Sequence, residues 1–283
     1  MTVVRRQVSW GQVLLFTGLL IVGIIVITPF VWMIATSFKH EQDALTTVPN
    51  LFPVSIKTGH FYFTLDNYKR AFSYGIQTGL LNSLWITALL VPSKLFLDAL
   101  AAYAFARIPF PGRERLFTIL LTTIMVPSVA ILIPRVFVTK VLGIYDSPWA
   151  IIIPNLISVW DIFLMRQFFL ALPKELDESA KLDGAGHFRI FWSIILPNAQ
   201  PVLAVVAITS FIFHWNDLIW PLVVLNNPAN YTLPLSLALL NSLIPQPTLV
   251  MAGAVVAVIP VLIVFLVFQR RILQGFSFSG VKL

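Results

Sequence analysis

Residues 173–201 read PKELDESAKLDGAGHFRIFWSIILPNAQP, a polar and charged stretch inside a chain that is otherwise apolar. Pro173 suits the first position of a helix, where a missing backbone N–H costs nothing. Glu175, Asp177 and Glu178 crowd the first turns, the end at which the helix dipole favours negative charge. Gly184 provides a stop, because glycine accepts left-handed backbone angles. A second short helix is expected over residues 187–195, running to Pro197. The stretch therefore predicts a helix-turn-helix, with small residues (Ser179, Ala180, Ala185, Gly186) around the turn where another protein surface could come close.

The surroundings of this hairpin are membrane-like. Of 283 residues, 58% are hydrophobic and 11% charged, against about 25% charged in soluble chains. Mean hydropathy is +0.88. Too few charges exist to cover a soluble core of this size, and burial in lipid removes the conflict. The net charge of +7 comes from lysines and arginines that flank apolar runs. They form no basic stripe, which argues against nucleic acid, whose phosphates need clustered cations. There are no cysteines, so disulfides, thiolate chemistry and cysteine-ligated metals are excluded. His40, His60, His187 and His214 lack metal-ligand spacing, and no metal site is expected.

A hydrocarbon core of roughly 30 Å needs about 20 apolar helical residues. Six segments qualify or nearly so: 12–38, 78–106, 116–138, 148–170, 202–225 and 248–269. Arg5 and Arg6 precede the first, as in a secretory signal, but residues 7–38 carry no charge, and that run is far longer than a signal's apolar core. An uncleaved first span is expected. Pro127 and Pro134 should kink the third, and Asp161 interrupts the fourth. Residues 218–269 contain no charge, yet Asn226, Asn227, Pro228, Pro245 and Pro247 should divide them into two helices joined by an outer loop.

Lysine and arginine placement gives the orientation. Arg5, Arg6, Arg107, Arg113, Arg115, Arg166, Lys174, Lys181, Arg189, Arg270, Arg271 and Lys282 gather on one side. The positive-inside rule makes that side cytoplasmic, with both termini, the hairpin 173–201 and the tail 270–283 inside. The fold class read from the sequence is an all-α membrane protein, a single transmembrane domain over 1–283, with six transmembrane helices, N-in and C-in. Residues 39–77 form its extracytoplasmic loop, whose aromatics (Phe52, Phe61, Tyr62, Phe63, Tyr68, Phe72) suit an interfacial position or a docking surface.

Three sets of polar residues lie within the apolar segments. Lys94 and Asp98 are four apart and share a helix face. They are either a mutually neutralising structural pair, the preferred reading, or groups beside a solute path. Asp161 follows Trp160 in the fourth segment, and Trp215, Asn216 and Asp217 lie in the fifth. An indole beside a carboxylate suits a sugar, joining an apolar face to directional acceptors. Capping and inter-helix hydrogen bonds are the alternative. The hairpin acids are no general acid–base pair, since they sit on a solvated helix without a cleft.

The hairpin spacing is Glu178-Ser179-Ala180, three residues, Gly184, nine residues, then Ile194-x-Leu196-Pro197. It resembles the EAA motif of ABC-importer permeases, with serine for the middle alanine. The likeness extends to Asn82-Ser83, AAYAFARIPFPGRE (101–114), MRQFFLALPKEL (165–176), HWNDLIWPL (214–222) and QRRILQGFSFSGVKL (269–283). Together these resemble the sugar-specific permease subunits related to the maltose importer's inner-membrane component, over residues 10–283.

The resemblance implies a type I ABC-importer permease fold in a bacterial or archaeal inner membrane. It also implies alternating access, a second homologous permease, two cytoplasmic ATPase subunits and an external solute-binding protein. Glu178, Ser179, Ala180, Asp183, Gly184, Ala185 and Pro197 would couple to the ATPase, and the tail 274–283 would be a strand or arm reaching toward it. The sequence contains no G-x-x-x-x-G-K-[ST] phosphate loop. No enzyme activity and no cofactor are therefore expected of this chain, with ATP and Mg²⁺ bound by the partner ATPase. Two alternatives stay open: an importer for another solute, such as a polyol or glycerol phosphodiester, and an ion-coupled carrier relaying through Lys94, Asp98 and Asp161. The lack of an internal repeat weighs against the carrier.

Overall fold

In the computed structural model, residues 10–44, 61 and 63–279 are described, the last ten of them (270–279) by backbone alone. The described residues are essentially all helical or in turns, with Phe61 the single bridge residue. The labelled helices are α1 Trp10–Ser37, α2 Gln77–Arg107, α3 Arg113–Thr122, α4 Leu132–Val141, α5 Val159–Ala171, α6 Glu175–Leu182, α7 His187–Asn198, α8 Gln200–Trp215, α9 Ile219–Val224, α10 Leu233–Leu243 and α11 Pro247–Ser279. Shorter turns fill the connections.

Among the described residues, three helices are by themselves long and apolar enough to cross a bilayer: Trp10–Ser37, Asp66–Arg107 and Pro247–Gln269. The count rises to five if two bent pairs, Trp149–Asn155 with α5 and α7 with α8, each count as one span. At 1.5 Å per residue, the 28 residues of α1 reach about 42 Å. Almost its whole length is exposed apolar surface, which in water would have no solvent to match it.

Four boundaries differ from the sequence reading. The 116–138 segment is not a kinked helix but two ten-residue helices, α3 and α4, separated by irregular backbone around Pro127. Pro134 sits in the first turn of α4, where it is tolerated. The fourth segment breaks at 156–158, before Asp161, and Ser158 caps α5 by accepting from the Asp161 N–H at 3.3 Å. The outer loop after the fifth segment contains α10, because Leu233–Leu243 keeps an apolar helical repeat between the two sets of breakers. Of residues 39–77, expected as the extracytoplasmic loop, 66–76 are already helical and run into α2. Phe52 and Tyr62 lie outside the described residues.

The chain divides into two units. Unit 1 comprises Met1–Tyr74 and Leu239–Val256. Within it Asn67 donates to the carbonyls of Ser37 and Lys39, both at 2.8 Å, tying the end of α1 to the helix that starts at Asp66. Unit 2 comprises Gly75–Ala238 and Ala257–Leu283. Its core joins Ala99, Ala102, Tyr103 and Ala106 of α2, Ile162, Met165 and Phe169 of α5, Ala180 of α6, Ile190, Phe191 and Ile195 of α7, and Val202 and Val206 of α8. Alanines on α2 let α5 approach closely, and larger residues on α5 and α7 fill the seam. Close approach also explains Gly79, where a Cβ would meet Ser236 Oγ at 2.6 Å and Leu233 Cα at 3.0 Å.

Candidate functional site

The hairpin is present. α6 begins at Glu175, two residues after Pro173, so the proline precedes the helix instead of opening it. Glu175, Asp177 and Glu178 occupy the first turn, as the dipole argument requires. α6 ends where Gly184 takes φ +77°, a left-handed angle, and the Ala185 N–H returns to the Ala180 carbonyl at 2.9 Å. α7 runs further than expected, through Pro197 to Asn198. Its turn widens over Phe191–Ile195. That widening makes room for a proline ring that would otherwise crowd the Ser193 carbonyl. The sharp break comes at Ala199, where α7 and α8 meet at 80°.

The two faces of the hairpin differ. Glu178, Ser179, Asp183, Gly184 and Pro197 are exposed, Ala185 is half-buried, and Ala180 is turned into the core. Leu182 is 90% exposed and Phe188 68% exposed, and Trp192 is also outward. Large apolar side chains left outside on a charged hairpin mark a surface made to be covered.

The inner face is held by groups the sequence reading passed over. Arg107, the last residue of α2, donates through Nη2 to the carbonyls of Phe169 (2.6 Å) and Leu172 (2.8 Å) at the end of α5. Its Nη1 lies 3.3 Å from Asp177 Oδ2. Asp177, adjacent to the outward Glu178, thus points inward. Beside it Arg166 of α5 forks onto both Glu114 oxygens (2.8 and 2.9 Å), donates to the Phe105 carbonyl (3.1 Å) and stacks on Phe117. The available signal was that Arg107 and Arg166 end or interrupt apolar runs, each with an acid close in sequence to the facing element.

Lys94 and Asp98 do form an ion pair, at 2.8 Å. The structure adds Asp161 as a second carboxylate on Lys94. Asp161 also accepts from Ser210 Oγ (3.1 Å), and Asp98 Oδ1 accepts from the Ser158 N–H (2.9 Å). The network joins α2, α5 and α8 and takes up the Ser158 N–H at the break at 156–158. Asp161 is therefore spent on Lys94, while Trp160 beside it faces outward.

Trp215 is 1% exposed and donates to the Ala257 carbonyl at 3.0 Å. Asn216 is exposed and bonds back to Ile212. Asp217 is half-buried and accepts from the Trp220 N–H. Asn216 and Asp217 fall in the break between α8 and α9. Trp220 in turn lies under the Arg135 guanidinium, 4.1 Å from the ring centre, and Arg135 donates to Asn155 at 2.6 Å. Asp161 and Ser210 thus gather with Lys94, and Asn155 and Trp220 with Arg135, while Trp215 and Asn216 bond to backbone carbonyls.

Asn82 and Ser83 serve a structural purpose. Asn82 donates to the carbonyls of Ala229 and Tyr231 (2.8 and 2.9 Å), and Ser83 Oγ accepts the Leu233 N–H (2.8 Å). They pin α2 to the start of α10. The tail differs from one expectation: the backbone remains helical through Ser279, so no strand forms over 274–279, and residues 280–283 lie outside the described residues.

A family described as "Binding-protein-dependent transport system inner membrane component" matches residues 98–277. The arabinooligosaccharides transport system permease protein AraQ of Halalkalibacterium halodurans is 32% identical over 281 residues, covering 97% of this chain and 96% of its own. The trehalose transport system permease protein SugB of Mycobacterium tuberculosis is 33% identical over 284 residues, with 98% of each chain covered. A chain from the crystal structure of a bacterial ABC transporter involved in the import of the acidic polysaccharide alginate superposes with a TM-score of 0.80 at 23% identity, covering 94% of this chain and 99% of that one. The solved chain shares the fold, and the sequence match extends through the hairpin to the last described helix: this chain belongs to the family of inner-membrane components of binding-protein-dependent transport systems.

Proposed function

We propose that the chain is the permease subunit of an ATP-driven sugar importer, forming half of the translocation path and alternating between inward and outward openings. The observation that carries this reading is the hairpin α6–α7: an outward acid (Glu178), a left-handed glycine (Gly184) and exposed Leu182 and Phe188, on a segment otherwise locked to the core. Such a surface suits the cleft of a separate ATPase. The sugar-transport names of the relatives support the solute class.

In this reading the chain spans the inner membrane six times, with both termini, the hairpin and the tail 270–283 in the cytoplasm and residues 39–77 outside. The broken α3–α4 pair makes the third span, and the domain is a single permease unit over 1–283. Its partners are a second homologous permease, two ATPase subunits and an external solute-binding protein. ATP and Mg²⁺ reside in the ATPase, which hydrolyses the nucleotide. Glu178, Ser179, Ala180, Asp183, Gly184, Ala185 and Pro197 form the coupling element. Closure of the ATPase pair around ATP moves the hairpins, and only a partner that binds the two openings unequally shifts the equilibrium between them.

Asn216 and Asp217, in the α8–α9 break, are the residues proposed to face the sugar. Trp215 supports them from the core, and Asp161 belongs with Lys94 and Asp98 to the structural network.

Affinity purification of the tagged chain from membranes of its own cells tests the assembly. The expected result is stoichiometric recovery of a second permease and of an ATPase whose hydrolysis rises when saccharide-loaded binding protein is added. Recovery of the chain without an ATPase refutes the reading.

A further inference from the structure

We infer that Arg107 and Asp177 are positioning residues that carry the displacement of the coupling hairpin into the cytoplasmic ends of α2 and α5. This rests on the importer reading above. Asp177 and Glu178 are neighbours in one turn and divide the work: Glu178 faces out, toward a partner, and Asp177 faces in, onto Arg107. Arg107, on α2, reaches both the terminal carbonyls of α5 and the first turn of α6. A second link, Tyr103 Oη to His187 Nδ1 at 3.4 Å, joins α2 to α7. A push on the hairpin therefore reaches α2 through charge and hydrogen bonds as well as through apolar packing, which allows sliding more readily than a directional bond does.

Stability does not account for the pair. The side chains are 5% and 11% exposed, and burying two charges is costly unless every polar atom is matched. Here two are not: Arg107 Nε and Asp177 Oδ1 have no hydrogen-bond partner. The one ion contact, at 3.3 Å, is longer than the 2.7–2.9 Å usual for charge-assisted bonds. An apolar pair would hold the same place at less cost. What the ion pair adds is a fixed direction between α6 and α2.

The test uses the complete importer in proteoliposomes and reads sugar taken up per ATP hydrolysed. Asp177→Asn keeps the shape and removes the charge. It should lower the ratio by about tenfold, the factor corresponding to about 1.4 kcal/mol, while hydrolysis continues. Asp177→Glu, which keeps the charge, should stay within about threefold of the unsubstituted ratio. A purely structural pair would lower the amount of complex and leave the ratio unchanged, and that outcome overturns the inference.

A second measurement needs no change at the pair. The chain has no cysteine, so Glu175→Cys and Leu97→Cys, both exposed positions, accept spin labels cleanly. Their separation should stay within about 2 Å between the nucleotide-free and ATP-bound complex. A larger change in a complex that still transports overturns the inference even if Asp177→Asn fails to assemble. Absence of any ATP-driven uptake by the unsubstituted complex refutes the importer reading instead.

Discussion

Replacing Lys94 with methionine removes the one cation from a buried site that holds two carboxylates. The side chains of Lys94, Asp98 and Asp161 are 5%, 0% and 9% exposed. Lysine and methionine have similar stems, so packing changes little, and the loss is electrostatic. Breaking a buried pair by removing one partner costs about 3–5 kcal/mol. Here two acids lose their partner, so the upper half of that range, about 4–5 kcal/mol, is expected. For a chain of this size about 1 kcal/mol shifts the melting midpoint by about 2–4 °C, so Lys94→Met should melt roughly 8–20 °C lower.

The informative comparison is the triple variant Lys94→Met, Asp98→Asn, Asp161→Asn. It removes all three charges while keeping their shapes, and neutral replacement of a whole buried ionic group is often close to harmless. The triple variant should therefore be more stable than the single one. The assay is thermal unfolding of the detergent-solubilised protein followed by tryptophan fluorescence, at matched heating rates because unfolding of such proteins is often irreversible. A single variant that melts with the unsubstituted chain, or a triple variant that melts no higher than the single one, refutes the structural assignment of the network.

Three further outcomes are expected. Gly184→Trp forces a side chain onto a left-handed backbone position, φ +77°, at a cost of about 1–2 kcal/mol. Among the described residues, none beyond the two chain neighbours comes within 4 Å of a Cβ there, so the complex should assemble yet lose most uptake per ATP, and normal uptake contradicts the lever role of the hairpin. Gly79→Ala places a methyl 2.6 Å from Ser236 Oγ and should destabilise by about 1–3 kcal/mol, with partial recovery on Ser236→Gly seen as a restored melting midpoint. The Asp146 carboxyl, outside the apolar segments, is held below its usual range by the N–H groups of Asn227 and Asn226, which donate to Oδ1 at 2.9 and 2.7 Å. Its stabilisation is present above the unfolded value of about 3.9 and disappears as pH falls through the lower native value. Melting midpoints taken from pH 6 downward should therefore fall more steeply for the native chain than for Asp146→Asn; parallel curves contradict it.

The hairpin was legible because its signals are local: acids at a helix start, glycine at a helix end, small residues at the turn. The apolar segments were legible for the same reason. The breaks were only half legible. Pro127 announces one, but the interruption at 156–158 depends on Asp98 being available to take the Ser158 N–H, and that is a contact between distant residues. Asp161 illustrates the wider difficulty. Beside Trp160 it looks like half of a sugar site, yet its partner is Lys94, 67 positions away. Arg107 and Asp177 were invisible for the same reason. Glu178 drew notice through the motif, and nothing in the order of residues reveals that its neighbour turns inward. Helix α10 was missed because breakers on both sides read as one long loop, although eleven apolar-rich residues between them suffice for three turns.

Solute flux into sealed vesicles, measured side by side for the purified chain and for the same chain with its second permease, ATPase and loaded binding protein, tests the central claim most directly. Radiolabelled saccharide should accumulate only in the complete system and only with ATP inside the compartment that faces the hairpin. Accumulation by the isolated chain, driven by an ion gradient with no nucleotide present, contradicts it.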